Sequence, residues 1–281
     1  EGVVGIGEVD SSPYVVQAII DAPPSHSLCH GLKAVLVGED PMEIERLWGK
    51  MYDKSNWFGL RGAAIQAISG VDIALWDIAG KVTKQPVYKL LGGAYRSSIR
   101  AYASALFPDN PNEMKEMVEK RIDQSFTAMK FGWNDFGKDE KKDLKRIQIA
   151  RKAAGDEFDL MIDAGLCYSQ SKDAIQMAKK LEGYDPLWFE EPLSSDNLSG
   201  YAKLSRSTDL RISSGERIAT VHRFKRLIEE GQVDIIQPDV TRAGGLTECR
   251  KINLIANLND VLTIPHGWST DILLAATLHF T

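Results

Sequence analysis

Three acidic residues end three separate apolar runs: Asp163 in LMIDAG, Glu190 in LWFEEP and Glu216 in ISSGE. They recur at intervals of about 25 residues, close to the length of one strand-plus-helix unit. If each run is a strand of a parallel α/β barrel, all three carboxylates arrive at the same rim. Two carboxylates about 4 Å apart repel by about 4 kcal/mol at an effective dielectric of about 20, so three cluster comfortably only around a dication. All-oxygen ligands select a hard ion, and Mg²⁺ with its retained waters is the expected one. Glu190 and Glu191 are adjacent, so their side chains point to opposite faces of a strand and only one is an easy ligand. The residues alone do not choose between them.

The neighbouring runs also end in polar residues. The run before Asp163 ends at Lys130, and the two after Glu216 end at Asp239 and His266. A lone carboxylate at such a place is more often a helix N-cap. Five consecutive runs each delivering an acid or a histidine do not fit that explanation. A carboxylate beside an imidazole fixes its tautomer and raises its basicity, so Asp239 and His266 read as a general-base pair. His222 and His279 fall inside helical patterns and read as structural.

These positions require a particular scaffold. From about residue 98, short apolar runs begin near Ile99, Phe126, Asp159, Leu187, Arg211, Asp234 and Val261, with helical patterns between them. Strand–helix alternation of this kind means a parallel sheet, and right-handed crossovers favour a closed barrel over an open doubly wound sheet. No GxGxxG follows the first run, which argues against a dinucleotide fold. Residues 1–95 differ in character. They open on the strand-like GVVGIGEV and SPYVVQAII, continue into helical patterns, and end at Gly92-Gly93, a C-cap and hinge. The expected fold is therefore α/β: a parallel barrel over 96–281 preceded by a smaller α+β domain over 1–95. The chain opens directly on a strand-like run and stops at Thr281 within a helical pattern. A segment is expected to be missing at each end, including the eighth strand.

Composition narrows the partners. The chain has 281 residues and a net charge of −5, without the clustered Lys and Arg of a nucleic-acid surface. No run reaches the roughly 18 apolar residues of a membrane span, and no signal peptide is visible. Cys29, Cys167 and Cys249 are scattered and odd in number, which suits a reducing compartment and a cytoplasmic protein. His26, Cys29 and His30 lie close together, but no second ligand pair stands at zinc-site spacing.

At these motifs the chain resembles the enolase superfamily, in its mandelate racemase and muconate-lactonizing branch. The motifs are SGVDIALWDIAGK, LLGG, MKFG, MIDAG, WFEEP, SSGE, QPDVTRAGGLTE and IPHG, in the family's order and spacing. The resemblance implies a modified TIM-type (β/α)7β barrel with an N-terminal capping domain. It implies Asp163, Glu190 and Glu216 as Mg²⁺ ligands, with Glu190 preferred to Glu191. It implies Asp239 and His266 as the Asp–His dyad and Lys130 as the first lysine of a KxK motif. The chemistry would be abstraction of a proton α to a carboxylate, on a small sugar acid, in a homo-oligomer.

Three departures stand out. The second KxK lysine is Gly132, the third-strand Asp-x-Asn reads Asp163-Ala164-Gly165, and the eighth strand is missing. A racemase needs an acid and a base on opposite substrate faces, whereas a dehydratase uses one histidine twice. The expected reaction is therefore dehydration of an aldonate or aldarate to a 2-keto-3-deoxy acid. Trp133 would pack on the sugar chain or simply anchor its loop. A cycloisomerase, an epimerase and a non-catalytic metal-binding fragment are the alternatives.

Overall fold

The computed structural model describes residues 2–281. Five helices come first: α1 (Pro13–Asp21), α2 (Leu32–Leu36), α3 (Ile44–Lys54), α4 (Ala63–Thr83) and α5 (Val87–Leu90). Seven strands then alternate with helices. They are β1 (Ala103–Leu106), β2 (Ala128–Gly132), β3 (Asp159–Asp163), β4 (Trp188–Glu190), β5 (Ile212–Ser214), β6 (Ile235–Ile236) and β7 (Leu262–Thr263). Between β1 and β5 lie α6 (Glu113–Asp123), α7 (Glu140–Ala154), α8 (Ser171–Leu181) and α9 (Leu198–Ser205). After β5 come α10 (Val221–Glu229), α11 (Gly245–Leu258) and α12 (Asp271–Phe280). The seven strands form one sheet in chain order, with parallel pairing from β1 through β5. The α/β parallel architecture expected from the alternation is present.

By its internal contacts the chain forms two compact units, 98–214 with 226–235, and 2–97 with 215–225 and 236–281. In the first unit, strands β2 to β5 are buried on both faces, as expected inside a parallel sheet, while β1 is partly exposed. Met129, Phe131, Leu160, Met161, Ile162, Trp188, Phe189 and Ile212 are all at most 2% exposed. Each such side chain stabilises the fold by about 1.5–3 kcal/mol. Pairing places Gly132 opposite Asp163 and Asp163 opposite Glu190, so these three positions stand at one level.

In the second unit, α4 is the framework. It is long and apolar enough to cross a bilayer by length and composition, yet eleven of its residues are buried and it packs on α1, α3 and α11. SPYVVQAII is helix α1, not a strand. Pro13 occupies its first turn, where the missing N–H costs nothing. Val16, Ile19 and Ile20, at helical spacing, are the residues α1 withdraws from solvent. GVVGIGEV is extended but joins no ladder. Instead Ile6 N donates to Asp77 Oδ2 at 2.8 Å and Lys81 Nζ donates to Val4 O at 2.8 Å, both on α4.

Helices α3 and α4 also fix the TRAGGLTE loop. Trp48 Nε1 donates to Gly244 O at 2.8 Å, and Gly244 N donates to Ser69 Oγ at 2.8 Å. Thr247 N donates to buried Asp72 at 3.0 Å, and Trp76 Nε1 donates to Thr247 Oγ1 at 2.9 Å. The N-terminal helices therefore hold the segment that leaves Asp239.

Candidate active site

In the 98–214 unit, Lys130, Asp163 and Glu190 converge. Lys130 lies within β2 rather than at its end, which is Gly132. Its side chain is only 7% exposed, and its ammonium bonds Glu190 Oε1 and stands 3.4 Å from Asp163 Oδ2. Burial alone would favour its neutral amine. The anions of Glu190 and Asp163, with Tyr102 nearby, outweigh burial and push its pKa above the ordinary lysine value.

Two indoles complete this cluster. Trp133 Nε1 donates to Asp163 Oδ2 at 3.0 Å, and Trp188 Nε1 donates to Glu190 Oε2 at 2.8 Å. Asp163 Oδ1 also accepts the Gly165 N–H at 2.9 Å. Trp133 was expected to meet a substrate or to anchor its loop; in this structure its indole nitrogen engages Asp163. Trp188 was missed. Its position two residues before Glu190, on the same strand face, was the available signal.

Both glycines that depart from the pattern sit where a Cβ would be crowded. A Cβ at position 132 would stand 2.6 Å from Asp163 Cβ and 3.0 Å from its Oδ2, so the Asp163 side chain fills the space a lysine there would need. Gly165 adopts φ +56°, and a Cβ there would lie 3.0 Å from Cδ2 of the Trp133 ring.

Glu191 turns away from Glu190. It adopts φ +44°, is 1% exposed, and accepts a hydrogen bond from Ser214 Oγ at 2.5 Å. Its own N–H donates to Ser213 O at 3.0 Å, and its carbonyl accepts Leu166 N–H at 2.7 Å. It ties together the exits of β3, β4 and β5.

In the other unit, Glu216, Asp239 and His266 converge. None lies inside a strand as the sequence suggested. Glu216 follows β5 by two residues, and Asp239 and His266 each follow their strands by three. Pro238 and Pro265 precede them, and proline cannot donate to a ladder. His266 N–H nonetheless donates to Pro238 O at 3.2 Å, which keeps the two exits side by side.

His266 Nδ1 lies 2.8 Å from Asp239 Oδ2, and His266 Nε2 lies 3.2 Å from Glu216 Oε2. Asp239 Oδ1 accepts hydrogen bonds from the Thr241 N–H at 2.8 Å and its hydroxyl at 2.6 Å. Burial pushes the Asp239 carboxyl up, but the bonds from His266 and Thr241 outweigh it and hold the group below the usual aspartate range. It therefore stays ionised and orients the imidazole. Arg242, also missed, stands 3.9 Å from both Glu216 Oε1 and Asp239 Oδ2 and donates to Asp10 Oδ2 at 3.1 Å. Burial disfavours its charge, while Asp239, Asp10 and Glu216 restore it and raise its pKa.

Comparison with known proteins identifies the family. Residues 113–281 match the family described as enolase C-terminal domain-like, and residues 1–92 match the mandelate racemase / muconate lactonizing enzyme N-terminal domain. The chain is 35% identical over 285 residues to D-galactarolactone cycloisomerase of Agrobacterium fabrum, covering 100% of this chain and 72% of that protein. It is 35% identical over 289 residues to D-galactonate dehydratase of Verminephrobacter eiseniae, covering 99% of this chain and 72% of that one. A racemase of Streptomyces coelicolor A3(2), solved with bound magnesium, superposes with a TM-score of 0.89 at 31% identity, over 99% of this chain and 75% of that one. The chain belongs to the enolase superfamily, in its mandelate racemase and muconate-lactonizing branch.

Proposed function

We propose that this protein is a Mg²⁺-dependent acid-sugar dehydratase acting on an aldonate or aldarate. Residues 1–95 would cap a barrel domain over 96–281. Asp163, Glu190 and Glu216 would hold the ion. All three are buried carboxylates offering hard oxygen donors, and they leave three successive strands. The ammonium of Lys130 already rests against two of them, which supports a pocket that holds positive charge. Magnesium, when bound, would supply positive charge to the substrate carboxylate as the α carbon becomes acidic.

The protein's own residues would do the rest. His266 Nε2 takes the α-proton, and Asp239 holds Nδ1–H so that the imidazolium is stabilised as it forms. Lys130 donates to a carboxylate oxygen where the enediolate charge develops. The imidazolium then returns its proton to the β-hydroxyl, which leaves as water. The resulting enol releases its hydroxyl proton as the β carbon takes one up, giving the 2-keto-3-deoxy acid. Atoms balance: one water is lost and no redox partner is needed. The substrate is a small carboxylate, without nucleic acid or membrane, and the enzyme works as a homo-oligomer. Cys29, Cys167 and Cys249 are all free, in keeping with the cytoplasm.

The observation that carries dehydration over racemisation is steric. Asp163 occupies the space where the opposite-face lysine would stand, so one base, His266, serves both proton transfers. Similarity to a cycloisomerase at 35% identity supports a second reading, in which the same enediolate expels a ring oxygen instead. Product analysis decides between them. Incubation with Mg²⁺ and a panel of aldonates, aldarates and their lactones should yield a 2-keto acid lighter than its substrate by one water. An isomer of unchanged mass would replace dehydration with cycloisomerisation or epimerisation.

A further inference from the structure

We propose that Trp133 and Trp188 are positioning residues that orient the metal-ligand carboxylates Asp163 and Glu190 through their indole N–H groups. This rests on the assignment of those carboxylates as ligands made above. Each indole bonds one oxygen of one ligand: Trp188 Nε1 to Glu190 Oε2 at 2.8 Å and Trp133 Nε1 to Asp163 Oδ2 at 3.0 Å. An ionised carboxylate has about four lone-pair sites, so one N–H fixes its rotation while leaving lone pairs for a cation. Glu190 shows this division, with Oε2 turned to the indole and Oε1 turned to the Lys130 ammonium.

Both rings are themselves held. Trp188 is 2% exposed on β4 and meets Tyr102 edge-on, with centroids 5.6 Å apart and planes at 80°. Trp133 adopts φ +58°, uncommon for a bulky residue, and its N–H donates to Asp163 O at 3.2 Å. Its ring lies over Gly165, where any Cβ would crowd it. The glycine makes room for the ring, and the ring supplies a donor to Asp163.

The test is Mn²⁺ affinity of the full chain, read by the electron paramagnetic resonance of free Mn²⁺, for wild type, Trp133→Phe and Trp188→Phe. Phenylalanine keeps an aromatic ring but removes the N–H together with the rest of the fused five-membered ring. Loss of a group that orients a metal ligand typically weakens binding about 10- to 100-fold, and a loss of at least tenfold is expected in each variant. Trp57→Phe, on a 68% exposed ring in the other unit, should leave affinity unchanged. Melting curves separate this from general destabilisation, since a merely structural role lowers the melting temperature without moving affinity. If Trp188→Phe does not fold, Trp133→Phe, on a ring that is 38% exposed, decides alone. Wild-type binding with unchanged affinity in the folded Phe variants overturns this inference only. No Mn²⁺ binding by wild type overturns the metal assignment and this inference with it.

Discussion

Carboxylates are used differently in the two compact units. In the 98–214 unit, Asp163 and Glu190 are met by hard donors: an ammonium, two indole N–H groups and a backbone N–H. In the unit containing 236–281, Asp239 is met by an imidazole and a threonine, with a guanidinium 3.9 Å away. In the proposed reaction the first arrangement would fix negative charge for a cation to use. The second would keep one acid ionised so that a histidine can gain and lose a proton. The same side-chain chemistry would then serve charge binding in one place and proton transfer in the other, with the neighbours deciding which.

Lys130 offers the sharpest way to break this contrast. Lys130→Met removes a preorganised donor, which typically costs about 10²–10³ in turnover. Because it also removes a positive charge beside Asp163 and Glu190, Mg²⁺ affinity should stay the same or rise. Steady-state kinetics and a metal titration read the two effects separately, and parallel losses in both would contradict the assignment. On the other side, Asp239→Asn keeps the shape but loses the ionised partner of Nδ1. Turnover should fall between about tenfold and about a hundredfold, part of the 10²–10⁴ that a positioned base contributes, with metal affinity unchanged. Asp163→Asn should do the reverse and weaken Mg²⁺ binding by at least about tenfold, as a direct ligand matters no less than its supporting shell.

The smallest effect concerns stability. Asp72 on α4 is fully buried beneath the loop that follows Asp239, and burial raises its pKa from 3.8 to about 7 despite the Thr247 hydrogen bonds. Between those values the unfolded chain has released this proton while the folded chain retains it. Asp72 therefore makes stability fall as pH rises from 3.8 to about 7, with no further loss above. Urea unfolding across that window should show the slope, and Asp72→Asn should remove this contribution to it.

What could be read from the chain follows the range of the interactions. The strand-end positions of Asp163 and Glu190 were legible because apolar strands ending in acids leave a local signature. The pairing of Asp239 with His266 was legible by type, although two prolines carry them past their ladders. The run SPYVVQAII misled through its β-branched residues, while the spacing of Val16, Ile19 and Ile20 and the proline at its start favoured the helix that forms. The extended GVVGIGEV is satisfied by side chains on α4 more than seventy positions away, a pairing with no local trace. The link from Trp133 to Asp163 was hidden for a related reason, since it depends on positive φ angles at Trp133 and Gly165.

In the proposed reaction His266 moves the substrate proton while the metal-ligand carboxylates hold the charge. Its most direct test is exchange of the α-proton of sugar acids in D₂O with Mg²⁺, followed by NMR for wild type and His266→Asn. Wild type should exchange deuterium into at least one acid of a broad panel. His266→Asn should abolish that exchange while binding Mg²⁺ nearly as tightly. Exchange that survives in His266→Asn, or none with wild type on any acid, would contradict the account.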